Sequence, residues 1–483
     1  MNARRSRLFL TASLLITVLI SCSPSIISAA SAKDPPENLP SPEISNILSS
    51  IKVFSSFGSR VMGYEGFYEA AKYIAEYWKS LGFKVRMENF TAAAPIVKSS
   101  KIKIELPNGT IFEGNAYPLW PNHINPCPYS SPPEGDRLVY VKEGLPEDFK
   151  GVKSRGAFVL MDFNNRWYWK NAILFGARGV IFLEPEETVA LQSLQKVLSV
   201  PVNFPRLYVV GKTASVLKSL FTTQNEVKVW IDSKMVWENR EVPNVIAVVE
   251  GRDPELKDEV AVIGAYYDSW SIVPQLSPGA TDSMGISFLL EFSRLLAETP
   301  PKRTLWLVAF AGHYQGLMGA REFVEDHYSE LGVKIKMMLT LDIASESDII
   351  AVYATGSMYG YNQPATLASR YASWLKRIFT EWKPAIEEKM KEEYKLIDGV
   401  TWAYPSWIAS SPPFEPFLRY FEAEVFTEAC YGGGLGFVTT NAFRIYQYTP
   451  FDRADKITPD KLENLRKQAT ILWPILYLSL IHI

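Results

Sequence analysis

Downstream of residue 244 the chain alternates between two hydrophobic patterns. "EVAVIGA" (259–265), "TLWLVAF" (304–310) and "KMMLTL" (336–341) are short apolar runs, as expected of strands covered on both faces. Between them, "MGISFLLEFSRLLAE" (284–298) and "GLMGAREFVEDHYSEL" (316–331) repeat their apolar residues at helical spacing. Strand, helix, strand, helix, strand predicts a mostly parallel sheet between helical layers, a three-layer α/β/α domain. Ligands of such sheets bind beyond the carboxyl ends of the strands. Three polar clusters fall at those ends: residues 266–268 with Tyr266 and Asp268, then His313 with Tyr314, then Asp342. Asp282 joins them from the loop "SPGATDS" (277–283).

Upstream, "GFYEAAKYIAEYWKSLGF" (66–83) places Phe67, Ala71, Ile74 and Trp78 on one helical face, with Gly82 as a C-cap. The strand "KVRMENF" (84–90) follows. From about residue 102 to 231 the texture changes to short strands and prolines. There "WKNAILFGARGVIFLEP" (169–185) reads as helix, glycine turn and buried strand, and "PRLYVV" (205–210) begins another strand. This block resembles a protease-associated domain, a β-rich unit that shapes access or binds partners and does no chemistry. The predicted layout is an α/β/α domain over 41–98 and 240–477, interrupted by the protease-associated-like unit over 99–239. Sequons at Asn89 and Asn108 are candidate glycan sites.

Composition narrows the function. Of 483 residues, 47% are hydrophobic and 21% charged, and the formal net charge is −2, so nothing favours nucleic acid as a partner. Arg4, Arg5 and Arg7 precede an apolar run over 8–20, and Ala30-Ser31-Ala32 is a small-residue cleavage site. Residues 1–32 therefore read as a signal peptide of an exported, extracellular or cell-surface protein. "LISC" (19–22) offers a second reading, a lipid anchor on Cys22. After cleavage Cys127 and Cys430 remain, and export permits a disulfide between them. The chain stops within the apolar stretch "ATILWPILYLSLIHI" (469–483). Residues 478–483 read either as a sequencing scar, with His482 then not native and a membrane-spanning segment or further domain beyond, or as an ordinary helical tail.

The ordered motifs "GAYYDSW" (264–270), "PGATDSMG" (278–285), "AFAGHYQGLMGAREF" (309–323), "LTLDIA" (339–344) and "YTPFDRADKI" (448–457) resemble those of the co-catalytic zinc peptidase superfamily. It includes bacterial aminopeptidases, glutamate carboxypeptidases and the ectodomains of transferrin receptor and nicastrin. The resemblance implies two zinc ions, held by an early His, a bridging Asp, a Glu, a second Asp and a late His, with a neighbouring Glu as general base. Carried over by position, Asp282 is the bridging Asp and Asp342 the second Asp. Tyr266, Tyr314 and Tyr448 occupy the positions of the early His, the Glu ligand and the late His. His313 replaces the general base, and Asp268 occupies the position that orients the early His. Three of five ligands and the base differ, and a phenol with an ordinary pKa of about 10 is a poor zinc ligand.

Plainer roles compete. Asp282 reads equally as a helix N-cap before Met284, Asp342 as a polar strand end, and His313 as a hydrogen-bonding turn residue rather than a new base. His327 and His123 read as surface residues. The expectation is a peptidase-fold binding or structural ectodomain with no cofactor and with a peptide or protein ligand. The alternative is an active metallo-aminopeptidase or carboxypeptidase-type hydrolase with a rearranged site and zinc. If the metal site is lost, Asp282 and Asp342 need donors in place of cations. At least one of the Tyr266 and Tyr448 hydroxyls is then expected to bond one of them.

Overall fold

The computed structural model describes residues 39–353, 366–399, 422–430, 433–440 and 443–482. The leader over 1–32, Cys22 and Ile483 lie outside the described residues. Helices α1 (Ile44–Ser56) and α2 (Glu65–Ser80) come first. Phe67, Ala71, Ile74 and Trp78 of α2 are all fully buried, as their spacing predicts, and Gly82 follows the helix at φ +85°.

Two long strands come next in space. β1 (Lys84–Glu105) and β2 (Val227–Val249) pair antiparallel from Lys84↔Val248 to Ile104↔Val229. The boundaries expected at 98/99 and 239/240 therefore fall inside continuous strands. The first coincides with a register irregularity between Val97 and Ser99. Thr91-Ala-Ala-Ala-Pro95 has little strand propensity of its own; its partner strand imposes the extended form. Between β1 and β2, strands Asp136–Tyr140, Phe158–Asp162, Gly179–Leu183 and Arg206–Val209 form a parallel ladder.

After β2 come β3 (Val260–Tyr266), α3 (Met284–Glu298), β4 (Thr304–Phe310), α4 (Met318–Asp326) and β5 (Ile335–Asp342). Strand β6 (Ile349–Tyr353), helix α5 (Thr366–Met390), strand β7 (Lys395–Gly399), helix α6 (Glu422–Cys430), strand β8 (Gly434–Thr439) and helix α7 (Pro459–His482) complete the described chain. The strand order is β7-β6-β8-β5-β3-β4-β2, and β2 carries the sheet onward into the inserted ladder. Pairs β3–β4, β3–β5 and β5–β8 are parallel, as the apolar runs predict.

Alternate residues of each strand enter different cores. Ala261, Ile263, Leu305 and Leu307 pack beneath α1, α2, α3 and α7, whereas Val260, Val262, Trp306 and Val308 face Phe323 of α4 and Phe426 of α6. The sheet therefore lies between two helical layers. At about 25 cal/mol per Å² of apolar surface removed from water, these two cores are the main stabilising term.

One expectation is corrected here. His327 is not a bland surface residue. Its ring packs 5.0 Å from Trp306, Nδ1 lies 2.8 Å from Glu330 and Nε2 lies 3.1 Å from Glu88. Cys127 is a free, buried cysteine whose Sγ donates to the Val202 carbonyl at 3.2 Å. The Cys430 side chain lies outside the described residues. Helix α7 runs on through residues 478–482, and Leu476, Tyr477 and Leu478 are buried. Among the described residues no helix is long and apolar enough to cross a membrane.

Candidate functional site

Tyr266 is the last residue of β3 and Asp342 the last of β5, so parallel pairing delivers both to the same end of the sheet. His313 and Tyr314 sit on a tight turn after β4, between Gly312 at φ +70° and Gly316 at φ +72°. A side chain at Gly312 would meet Met62 Sδ at 3.1 Å in a left-handed conformation that favours glycine. Asp282 lies in the turn Thr281–Ser283 rather than at the helix cap. Ser283 holds that position, and no side chain caps the helix. The structure brings all seven residues singled out by sequence to one end of the sheet.

Asp342 is covered from two sides. Its Oδ1 accepts from the Tyr266 hydroxyl at 3.2 Å and from Arg444 Nη1 at 2.7 Å, and Arg444 Nη2 donates to its carbonyl at 3.0 Å. Burial pushes the Asp342 carboxyl up, but Arg444 outweighs burial and holds it below the usual range. The expected tyrosine–aspartate bond is thus present, made by Tyr266.

Asp282 is saturated differently. Oδ1 accepts from the Tyr314 hydroxyl at 2.6 Å and from Gln447 Nε2 at 2.8 Å, and Oδ2 accepts from the Trp270 N–H at 3.2 Å. Burial raises its pKa against those donors and against the nearby Arg60. Arg60 is fully buried and donates to the carbonyls of Tyr267, Phe54, Pro278 and Gly279 at 2.6–3.1 Å.

Asp268 pairs with the turn after β4. Its Oδ1 accepts the His313 backbone N–H at 3.2 Å, while Oδ2 is buried with no partner among the described residues. Burial pushes its pKa up to about 7, against the pull of His313. The His313 ring stacks on Tyr266 at 3.9 Å and 20°, and Nδ1 lies 2.8 Å from Glu422 Oε1. Burial lowers the imidazole pKa, but Glu422 outweighs it, and the net shift is upward. Tyr448 sits at φ +73°, a left-handed conformation rare for a bulky residue. Its ring packs edge-on to Trp270 at 5.4 Å and to Tyr314 at 6.1 Å.

The donor set does not fit a dinuclear zinc centre. The two retained carboxylates already hold an Arg, an amide and two phenols. Burial drives the Tyr266 and Tyr314 phenols well above 10, so they are neutral donors, not phenolate ligands. Among the described residues no group of three or more His, Cys, Asp or Glu side chains is placed to hold a metal. Tyr266, Trp270, Tyr314 and Tyr448 belong instead to an apolar core shared with Trp120, Phe163 and Tyr208 of the inserted unit. Sequence reasoning missed Arg60, Glu422, Arg444 and Gln447. Only Arg444 and Gln447 left a signal, as polar residues just upstream of Tyr448 in "FRIYQY" (443–448).

Tyr266→Phe is expected to cost about 1–3 kcal/mol, because it removes one of two side-chain hydrogen bonds to a buried carboxylate. Urea denaturation of the purified chain measures it. A variant as stable as the parent would show that the 3.2 Å bond contributes nothing.

Comparison with known proteins agrees with this layout. Residues 244–399 match Peptidase family M28. A probable zinc metalloprotease of Pyrenophora teres f. teres (strain 0-1) is 34% identical over 112 residues, covering 22% of this chain and 23% of the relative. Transferrin receptor protein 2 of Rattus norvegicus is 28% identical over 175 residues, covering 35% of this chain and 19% of the receptor. The matches to the fungal metalloproteases span only about a quarter of those relatives' length. The structure of a zinc aminopeptidase from Bacillus subtilis superposes with a TM-score of 0.57 at 18% identity, covering 92% of this chain and 97% of that one. The chain thus has the fold of that zinc aminopeptidase, and residues 244–399 are similar in sequence to Peptidase family M28.

Proposed function

We propose that this M28-fold protein does not perform dinuclear-zinc peptide hydrolysis and acts as an exported binding or structural ectodomain. The observation that carries the reading is the Arg444–Asp342 ion pair at 2.7 Å, beside a tyrosine at an expected ligand position. A cation supplied by the chain stands against the carboxylate that would bind metal. Aromatic rings fill the space around it, so an incoming peptide would have to displace a packed core. The relative named transferrin receptor protein 2 is compatible with a receptor-like use of this fold, whereas the relatives named as metalloproteases favour an enzyme.

A hydrolase built on His313 is the second reading, favoured by one observation: Glu422 orients the imidazole through Nδ1. Against it, the ring is buried and covered face-on by Tyr266. The test is metal analysis of the purified chain together with an aminopeptidase and carboxypeptidase screen, with and without chelator. The expected result is no stoichiometric zinc and no hydrolysis. Stoichiometric zinc with chelator-sensitive cleavage overturns the proposal. Chelator-resistant cleavage that His313→Ala abolishes supports the second reading instead.

A further inference from the structure

Helix Asn171–Leu174 and the 3-10 turn Tyr168–Lys170 before it are amphipathic in the inverted sense. Trp169 and Ala172 face the core, while the outward face carries Tyr168, Ile173, Leu174 and Phe175, which are 39–78% exposed. Leu174, at 78%, is the most exposed of the large apolar side chains among the described residues. A soluble protein with no use for this face would make it polar.

The segments beside the tip carry both signs, with Glu143, Glu147 and Asp148 just upstream of Phe149 and a basic stretch after it. Residues 150–175 contain five cations (Lys150, Lys153, Arg155, Arg166 and Lys170) and one acid, Asp162, in a chain whose net charge is −2. All five cations are exposed, and Asp162 is engaged by the Tyr140 hydroxyl at 3.0 Å. The basic turn lies directly beside the apolar tip. Gly156 N–H donates to the Gly176 carbonyl at 2.8 Å, Ser154 Oγ donates to the Phe175 carbonyl at 3.4 Å, and Phe149 stacks on Phe175 at 4.4 Å. The Lys170 ammonium sits 4.4 Å from the centre of the Trp167 ring.

From this we infer that the tip formed by Tyr168, Ile173, Leu174 and Phe175, flanked by Arg155 and Lys170, docks peripherally on a membrane surface bearing anionic headgroups. A protruding apolar side chain suits insertion among headgroups rather than a groove-forming protein contact. Aromatic residues at the rim match the interfacial zone, and the cations complement anionic lipid. The inference does not depend on whether the M28 site is active.

The test is flotation of the full chain with vesicles of phosphatidylcholine alone and of phosphatidylcholine with phosphatidylserine. The expected result is binding to the anionic vesicles only, weakened by added salt. Leu174→Glu should weaken it by about tenfold or more, through lost insertion and added like charge. Each of Lys153→Ala and Arg155→Ala should weaken it by about fivefold. All three positions are exposed, so unchanged melting temperatures are expected and show that folding is intact. Binding to neither vesicle overturns the inference, as does anionic binding that Leu174→Glu leaves unchanged.

Discussion

Arg444→Met is expected to destabilise the protein by about 3–5 kcal/mol, the range for removing one partner of a buried ion pair. The side chains of Arg444 and Asp342 are 17% and 9% exposed, so solvent does little to screen the pair. The variant would leave Asp342 with the Tyr266 hydroxyl as its only described side-chain donor. The pH dependence identifies the cause. With Arg444 present the Asp342 pKa is depressed, so its contribution is complete above the unfolded carboxylate value of about 3.9 and is lost as pH falls through the lower folded value. Without Arg444, burial raises the folded pKa above the unfolded one, and the variant should regain stability on acidification from neutral toward pH ~4. Asp342→Asn combined with Arg444→Met should recover most of the loss. Denaturation curves across pH measure both effects. A variant that loses stability with no change in pH slope would place the damage in packing instead.

Arg60→Met should cost about 4 kcal/mol or more. Its guanidinium satisfies four backbone carbonyls drawn from the last turn of α1, the residue after β3 and the loop before α3. Each buried carbonyl left without a donor costs about 1–3 kcal/mol. The loop it holds contains Gly279 at φ +55°, where a Cβ would lie 2.4 Å from Ser269, so the backbone cannot readily move to find other donors. Arg60→Lys should lose less, because an ammonium keeps the charge near Asp282 but cannot reach all four oxygens. Equal losses for the two variants would show that the retained charge contributes nothing and that the hydrogen-bonding fork alone matters at residue 60.

The strands and helices around the site were legible because their hydrophobic periods are local. "TLWLVAF" became Thr304–Phe310, and "MGISFLLEFSRLLAE" became Met284–Glu298. The positions of Tyr266, Asp282, Tyr314 and Asp342 were legible for a related reason: each stands at a strand end or in the turn that follows. Their partners were not. Arg444 meets Asp342 across 102 positions and Glu422 meets His313 across 109, and no spacing rule links residues so far apart. Charge balance supplied a partial signal. Two carboxylates that lose a metal require donors, which predicted the role of tyrosine hydroxyls, and the same reasoning extended to cations would have singled out Arg444. Arg60 carried no such signal, because its acceptors are main-chain oxygens, which every residue has. The continuity of β1 through Thr91–Pro95 was also hidden, since it comes from pairing and not from propensity.

The pairing of β1 with β2 also bears on how the chain reaches this state. About 120 residues separate the two strands, so the first contact between them must close a long loop before any ladder bond compensates the lost entropy. Nascent chain holding β1 but not yet β2 would carry a long unpaired edge, with polar backbone groups available to other chains. The inserted ladder narrows that gap, because Asp136–Tyr140 pairs with β2 and can gather it before the far ends meet. The β1–β2 ladder therefore makes assembly slow relative to a protein of local contacts, and it joins the inserted ladder to the helix-covered sheet through one continuous pair of strands.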